Sequence, residues 1–516
     1  MPRSMFALDA SVHTRTPIRH AWAFCAALLA LLAAALCLTP PNFAGDVLEY
    51  TLDTVAIAHH GTPDIRLDDI ARTRALVPPL GPAFDPLEQD MRAGVDKVYP
   101  AFVRGRGGAV YPIHFFGYSV LAALPFKLFE ALGVNPFKAF QAANYAAVFV
   151  LGLALLRFFR SGVQASLGLL LFVLCGGMLY MNWTSPECVG AACLLAGLLF
   201  YLSKAPLAGC VLAGLAAQQN PTIVMFFGFA PLLKLALDWR RGAGLGANLR
   251  AQLVRANVLG LAAGLAVFAL PLLFNLVQFG APNIIAKKFS DPGLMGGTRL
   301  ASFFFDLNQG MVIAIPGVLA VLLAWGWRRK DDARLPAAVP LLAVLFVLAL
   351  IVPALAVLNW NSGAAGVMRY AFWAAMPLLL VCLLRLRAHG RWPPLLVAWL
   401  TLVQGGAMLH AGSYTYVEFS PLARFVLAHA PNRYHPEPEI FAERMAHNDD
   451  YIQPDKVYIY RPPGLPAKAL FNDANGRAGE QLCGAGRHLA PGNRVVSSAY
   501  GWRYVDGPIL CTTPPP

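Results

Sequence analysis

Asp46, Glu49 and Asp53 follow one another at intervals of three and four residues, in the run Gly45-Asp-Val-Leu-Glu-Tyr50 and its continuation. On a helix this spacing puts all three carboxylates on one face. Beside an apolar surface, such groups could take a proton from a hydroxyl or hold a cation. The same residues also have a structural reading. Asp-x-x-Glu is a capping box, with Asp46 at the N-cap and Glu49 at the third helical position. Both readings require a helix that begins at Asp46, and spacing alone does not separate them.

A second chemically dense stretch runs from Lys97 to Tyr118. Lys97, Arg104 and Arg106 stand among glycines 105, 107 and 108, which permit tight turns and close backbone approach. Cations in that setting can hold a phosphate through charge-assisted hydrogen bonds, and they can equally be a solvated basic loop. The stretch closes on Tyr111-Pro-Ile-His114-Phe-Phe-Gly-Tyr118. Further along, Glu187 and Arg369 are isolated charges at the ends of apolar segments. Glu187 fits either substrate contact or the positive end of a helix dipole. Arg369 fits either a phosphate contact or a snorkelling interfacial side chain. No metal site is assigned, because His59, His60 and His114 lack ligand partners at metal-like spacing. Phosphate-binding P-loops, dinucleotide fingerprints and nucleophile elbows are absent from suitable contexts.

The elements that must carry these residues are membrane spans. The chain is 57% hydrophobic and 13% charged, against about 25% charged in soluble domains. Its formal net charge of +13 does not point to nucleic acid, because the arginines cluster in short loops as the positive-inside rule requires. The apolar run from about Ala21 to Leu38 reads as the first span, leaving residues 1–20 as a cytoplasmic N-terminus. Residues 40–112 then form a long polar excursion with ten acidic and seven basic residues, expected to hold short amphipathic helices on the membrane surface. Apolar segments recur to residue 411, one of them expected to span over 303–326, and about eleven crossings satisfy the charge bias. The segment 113–132, interrupted by Pro125, Lys127 and Glu130, is not expected to cross fully. The expected fold is therefore an all-α polytopic membrane domain over 21–411, with the long loop 40–112 outside the cytoplasm and the arginine-rich short loops inside.

Residues 412–516 differ in kind. They are rich in Pro, Gly, Asn and Arg, contain no run of span length, and include strand-like pieces at Val457–Tyr460 and Arg494–Ser497. A small external domain of mixed or β-rich structure is expected, in which Cys483 and Cys511 could pair in an oxidising compartment. The other seven cysteines lie in or beside apolar spans and read as small core residues.

The order and common sidedness of these motifs resemble the GT-C superfamily of membrane glycosyltransferases, in particular the aminoarabinose transferases and protein O-mannosyltransferases. Gly45-Asp-Val-Leu-Glu-Tyr50 looks like the family's acidic signature after the first span, and Tyr111–Tyr118 looks like the Pro/Gly/aromatic motif that closes its first external loop. Thr184-Ser-Pro-Glu187 occupies the place of a second external acidic site, and Gly366-Val-Met-Arg369-Tyr370 resembles the Gly-x-x-Arg-Tyr element of bacterial members. Val47 departs from the pattern where a second acid is common, and His114 departs where a second Pro is common. The resemblance implies an inner-membrane enzyme that takes a sugar from a polyprenyl-phosphate donor and passes it to a glycan, lipid or protein acceptor outside the cytoplasm. Asp46, with Glu49, would be catalytic. Arg106, Arg104, Lys97 and Arg369 would bind the donor phosphate. Glu187, Tyr111, His114 and Tyr118 would line the acceptor side, and a divalent cation could assist. A transporter or flippase of lipid-linked sugars is the rival class. Coupled transporters place ionisable groups inside their spans, whereas the acids here collect in loops.

Overall fold

In the computed structural model, the described residues are 18–327, 335–361, 364–388, 392–462 and 467–513. The basic residues expected to mark cytoplasmic loops at 328–334 and 391, and most of the N-terminal segment, lie outside them. Among the described residues, eight helices are long and apolar enough to cross a membrane, from Arg19–Leu38 to Pro394–Ala411, which marks a multi-pass membrane protein. Two further apolar helices, Glu187–Leu202 and Pro316–Gly326, are shorter. The Gly117–Ala131 helix has fifteen residues with Pro125 inside, and it is not among the eight.

The chain divides into two compact units. The first comprises residues 1–290, 317–354 and 372–405. Within it the Pro206–Gln219 helix packs against both Glu187–Leu202 and Arg255–Phe279. Glycines make these contacts close. A Cβ at Gly209 would lie 2.6 Å from the Gly197 carbonyl oxygen, and one at Gly264 would lie 2.3 Å from that of Cys210. Small residues of this kind let apolar helices meet backbone to backbone, where dispersion rather than water exclusion holds them together.

The excursion after the first span is a folded layer with a core of its own. Helix α1 (Ile18–Leu38) leads into α2 (Val47–His60), and shorter helices follow at Leu67–Leu76 and Asp85–Ala93. A three-stranded antiparallel sheet closes the layer: β1 (Lys97–Val98), β2 (Phe102–Arg104) and β3 (Val110–Pro112). Leu52, Ala56, Ile65, Ile70, Phe84, Leu87, Val98, Phe102 and Val110 form one buried cluster beneath it. The amphipathic helices expected here are thus joined by a sheet that residue patterning did not suggest, because strands of two or three residues are too short to alternate visibly.

The second unit comprises residues 291–316, 355–371 and 406–516. A four-stranded antiparallel sheet runs in the order Tyr458–Tyr460, Lys468–Asn472, Trp502–Asp506, Arg494–Ser497. The Cys483–Cys511 disulfide is formed. Two segments from earlier in the chain complete this unit, so it does not coincide with the linear stretch 412–516. The apolar segment 303–326, expected as one span, is broken for the same reason. Asp306 accepts hydrogen bonds from the backbone N–H groups of Asn308 (2.9 Å) and Gln309 (3.1 Å) and ends the Gly297–Phe305 helix. Its carboxylate is fully buried against Arg444, at 2.7 and 3.1 Å, and it also accepts from the Tyr434 hydroxyl at 2.7 Å. Burial alone would raise the Asp306 carboxyl. Arg444 and Tyr434 overcome that and hold it below the usual carboxylate range.

Candidate functional site

The turn before α2 is held by the loop that precedes the Glu187–Leu202 helix. Asn42 bridges to Trp183 in parallel, the Ser185 hydroxyl donates to the Ala44 carbonyl at 3.0 Å, and the Asp46 N–H donates to Ser185 Oγ at 3.1 Å. Gly45 sits at φ +69°, and a Cβ there would come within 2.6 Å of Ser185 Oγ. This position demands glycine on both counts. Thr184-Ser185 therefore positions Asp46, a role that went unseen because the two stretches are far apart in sequence.

The capping box does not form. Asp46 occupies the N-cap of α2 but makes no side-chain cap hydrogen bond. Glu49 turns the other way, into the loop's interior, where it is 3% exposed. Its carboxylate accepts from the backbone N–H groups of Ile113 (3.1 Å) and His114 (3.2 Å) and lies 2.9 Å from His114 Nδ1. His114 Nε2 in turn lies 3.8 Å from Asp46 Oδ2. The imidazole thus stands between the two carboxylates, with Asp46 and His114 each about a fifth exposed at the side chain. Burial raises the Glu49 carboxyl above its ordinary value, Asp46 adds to the rise, and His114 opposes it.

Asp53 does not join this group. It is buried one helical turn further along α2, and burial pushes its carboxyl well above the usual range, with Glu49 reinforcing the shift. The face with three carboxylates read from the spacing is therefore a pair plus a histidine. Asp46, Glu49 and His114 each offer a ligand atom within 4.8 Å of the others. This mixed oxygen and nitrogen set suits manganese or zinc better than calcium. Residue spacing does not reveal this set, because His114 is 65 residues from Glu49 and arrives through the β2–β3 hairpin.

The remaining candidates fall in several places. Arg104 is held by the loop itself: its guanidinium donates to the carbonyls of Val95 (2.8 Å), Gly108 (2.9 Å) and Met91 (2.7 Å). Lys97 lies over the Phe289 ring, 4.5 Å from its centroid. Arg106, at the hairpin tip, lines a cavity of about 560 Å³ with Arg104, Gln278, Phe279 and Lys288, a lining that includes none of Asp46, Glu49 and His114. Tyr111 packs edge-on against Phe274 and Phe279. The Tyr118 hydroxyl donates to Asn144 Oδ1 at 3.2 Å in the bundle interior, and the ring meets Tyr50 edge-on at 5.3 Å. Glu187 is 2% exposed in the first turn of its helix, two residues beyond Ser185. Arg369 belongs to the second unit, where it is 4% exposed with its guanidinium 5.3 Å from the Tyr370 ring centroid.

Sequence reasoning also passed over three amides. Gln218, Gln219 and Asn220 end the Pro206–Gln219 helix, nine-tenths buried, and they touch the glycines that stand three residues after His114 and Glu187. A Cβ at Gly117 would meet Gln218 Oε1 at 2.1 Å, and one at Gly190 would meet Asn220 Nδ2 at 2.8 Å. The signal available was a polar Gln-Gln-Asn run ending an apolar helix. Comparison with family models, with curated proteins and with solved structures finds no match to this chain.

Proposed function

We propose that the protein transfers a sugar from a polyprenyl-phosphate donor to an acceptor hydroxyl on a glycan, lipid or protein, at the extracytoplasmic face of the membrane. Asp46 is the general base. It takes the hydroxyl proton as the acceptor oxygen bonds to the anomeric carbon; the bond from that carbon to the phosphate oxygen breaks, and its electron pair leaves with the lipid phosphate. Attack opposite the leaving group inverts the anomeric centre.

What supports the reading is one convergence: Asp46, Glu49 and His114 meet in the layer that follows the first apolar helix, with Asp46 kept partly open while Glu49 is sealed beneath it. A carboxylate that serves as a base needs access to its substrate, whereas one that orients a partner needs fixed hydrogen bonds. Asp46 fits the first description and Glu49 the second. His114 extends the network from Glu49 to Asp46, and a divalent ion held by the three groups would polarise an oxygen of donor or acceptor. Arg104 and Lys97 serve the loop's own structure in this reading.

The test is Asp46→Asn in a cell lacking the native protein, read by glycan analysis and by lipid-carrier analysis. Loss of one glycan decoration is expected, with accumulation of a prenyl-linked sugar and unchanged membrane levels of the protein. A fully decorated glycan in cells that carry only this variant removes Asp46 as the base. A general base contributes about 10²–10⁴ in rate, so a transferase that retains more than about a tenth of its activity is incompatible with the assignment.

A further inference from the structure

The cavity at the β2–β3 hairpin tip has two chemically distinct walls. One is cationic, with Arg106 and Lys288 exposed. Among the described residues, no carboxylate lies within ion-pairing distance of either. The other wall is the last turn of the Arg255–Phe279 helix, where Leu276 and Val277 are 51% and 60% exposed and line the same cavity. The exposed apolar strip continues back along that helix through Leu273 and Leu270. The helix is one of the eight candidate spans, so the cavity opens where its apolar length ends.

The cavity is built by packing. Val103 of β2, Ile113, Ile284 and Phe289 form a small buried cluster that joins the hairpin to the Ile284–Lys288 helix. Arg104 is tied to three carbonyls at the base of the hairpin. Gln278 lines the cavity with an Oε1 that has no hydrogen-bond partner. Lys287, next to Lys288 in the same last turn, adds a further positive charge beside the cavity.

The placement of these cations is informative. Arg240, Arg241, Arg250 and Arg255 gather at the N-terminal end of this span, so the positive-inside rule puts that end in the cytoplasm and the cavity on the opposite side. Short loops on that side, such as the one that carries Lys287 and Lys288, are ordinarily poor in Lys and Arg. A guanidinium and an ammonium left unpaired there, against an exposed apolar strip, match a phosphate that carries a hydrocarbon chain. Arg provides planar paired donors for phosphate oxygens, and Lys provides a point charge.

We propose that this cavity is a docking seat for the phosphate of an anionic membrane lipid drawn from the extracytoplasmic leaflet. Arg106 and Lys288 hold the phosphate, and the lipid's chain lies along Leu276, Val277, Leu273 and Leu270. The seat is separate from the carboxylates and does not depend on their being catalytic.

The experiment uses the full chain in detergent and reads lipid adducts by native mass spectrometry. Phosphatidylglycerol, phosphatidylcholine and inorganic phosphate serve as probes, with wild type, Arg106→Ala/Lys288→Ala and Arg106→Lys/Lys288→Arg compared. Phosphatidylglycerol is expected to bind wild type and the charge-preserving pair. The alanine pair should weaken it by roughly tenfold or more, the scale of one charge-assisted hydrogen bond. Equal retention of phosphatidylcholine, whose headgroup cation cancels the charge, overturns the anionic requirement. Displacement by millimolar inorganic phosphate overturns the lipid source in favour of a free-phosphate site. Unchanged adducts in the alanine pair overturn the seat itself. The Asp46→Asn variant should keep the adduct in full, so loss of lipid binding and loss of sugar transfer are separately visible.

Discussion

Replacing Glu49 tests whether the buried carboxylate holds the loop together. Its oxygens receive two backbone N–H groups, from Ile113 and His114, and face one imidazole nitrogen. Glu49→Ala removes the acceptor for all of them. A buried donor left without a partner costs about 1–3 kcal/mol. The Ile113 donor is fully buried and the His114 donor only in part, so a total of about 2–5 kcal/mol is expected. Glu49→Gln keeps one carbonyl oxygen for the backbone donors and removes the penalty of burying a charge, the penalty that raises this carboxyl. Its net cost should be within about 1 kcal/mol. Thermal unfolding in detergent should therefore place the alanine variant well below the glutamine variant. Hydrogen exchange should show faster loss of protection at Ile113 and His114 in the alanine variant alone. Equal melting of the two variants, or unchanged exchange at those amides, would refute the idea that Glu49 anchors the His114 segment.

Two further predictions concern the same layer. Asp53 has a folded-state pKa raised well above its ordinary value by burial, so the stability it contributes is full below about pH 4 and is lost as pH rises through the folded value. Asp53→Asn should flatten that decline, and a variant whose melting temperature falls with pH as steeply as wild type's would contradict the assignment. Gly45→Ala forces a side chain into a left-handed conformation against Ser185 Oγ. It should cost at least about 1–2 kcal/mol from the backbone alone and, under the proposed function, lower sugar transfer by displacing Asp46. Wild-type transfer in this variant would show that the turn does not set the position of the proposed base.

The amino-acid sequence by itself determined the membrane character of this protein, the strand-bearing C-terminal region and the stretches that carry its charged residues. Hydrophobic run length and the placement of arginines depend on the bilayer, which acts on each segment locally, so these features can be read one stretch at a time. Asp46 and Glu49 were visible for the same reason, being close in sequence. Tertiary structure decided what they do. It withdrew Glu49 from a capping box and gave it the amides of Ile113 and His114. It placed His114 between the carboxylates and set Ser185 under Asp46. It also broke the expected span 303–326 at Asp306, whose carboxylate is neutralised by an arginine 138 residues away. Each of these outcomes is a hydrogen bond or ion pair between distant segments. A buried polar group must find a partner, and local sequence does not say where in the chain that partner will come from.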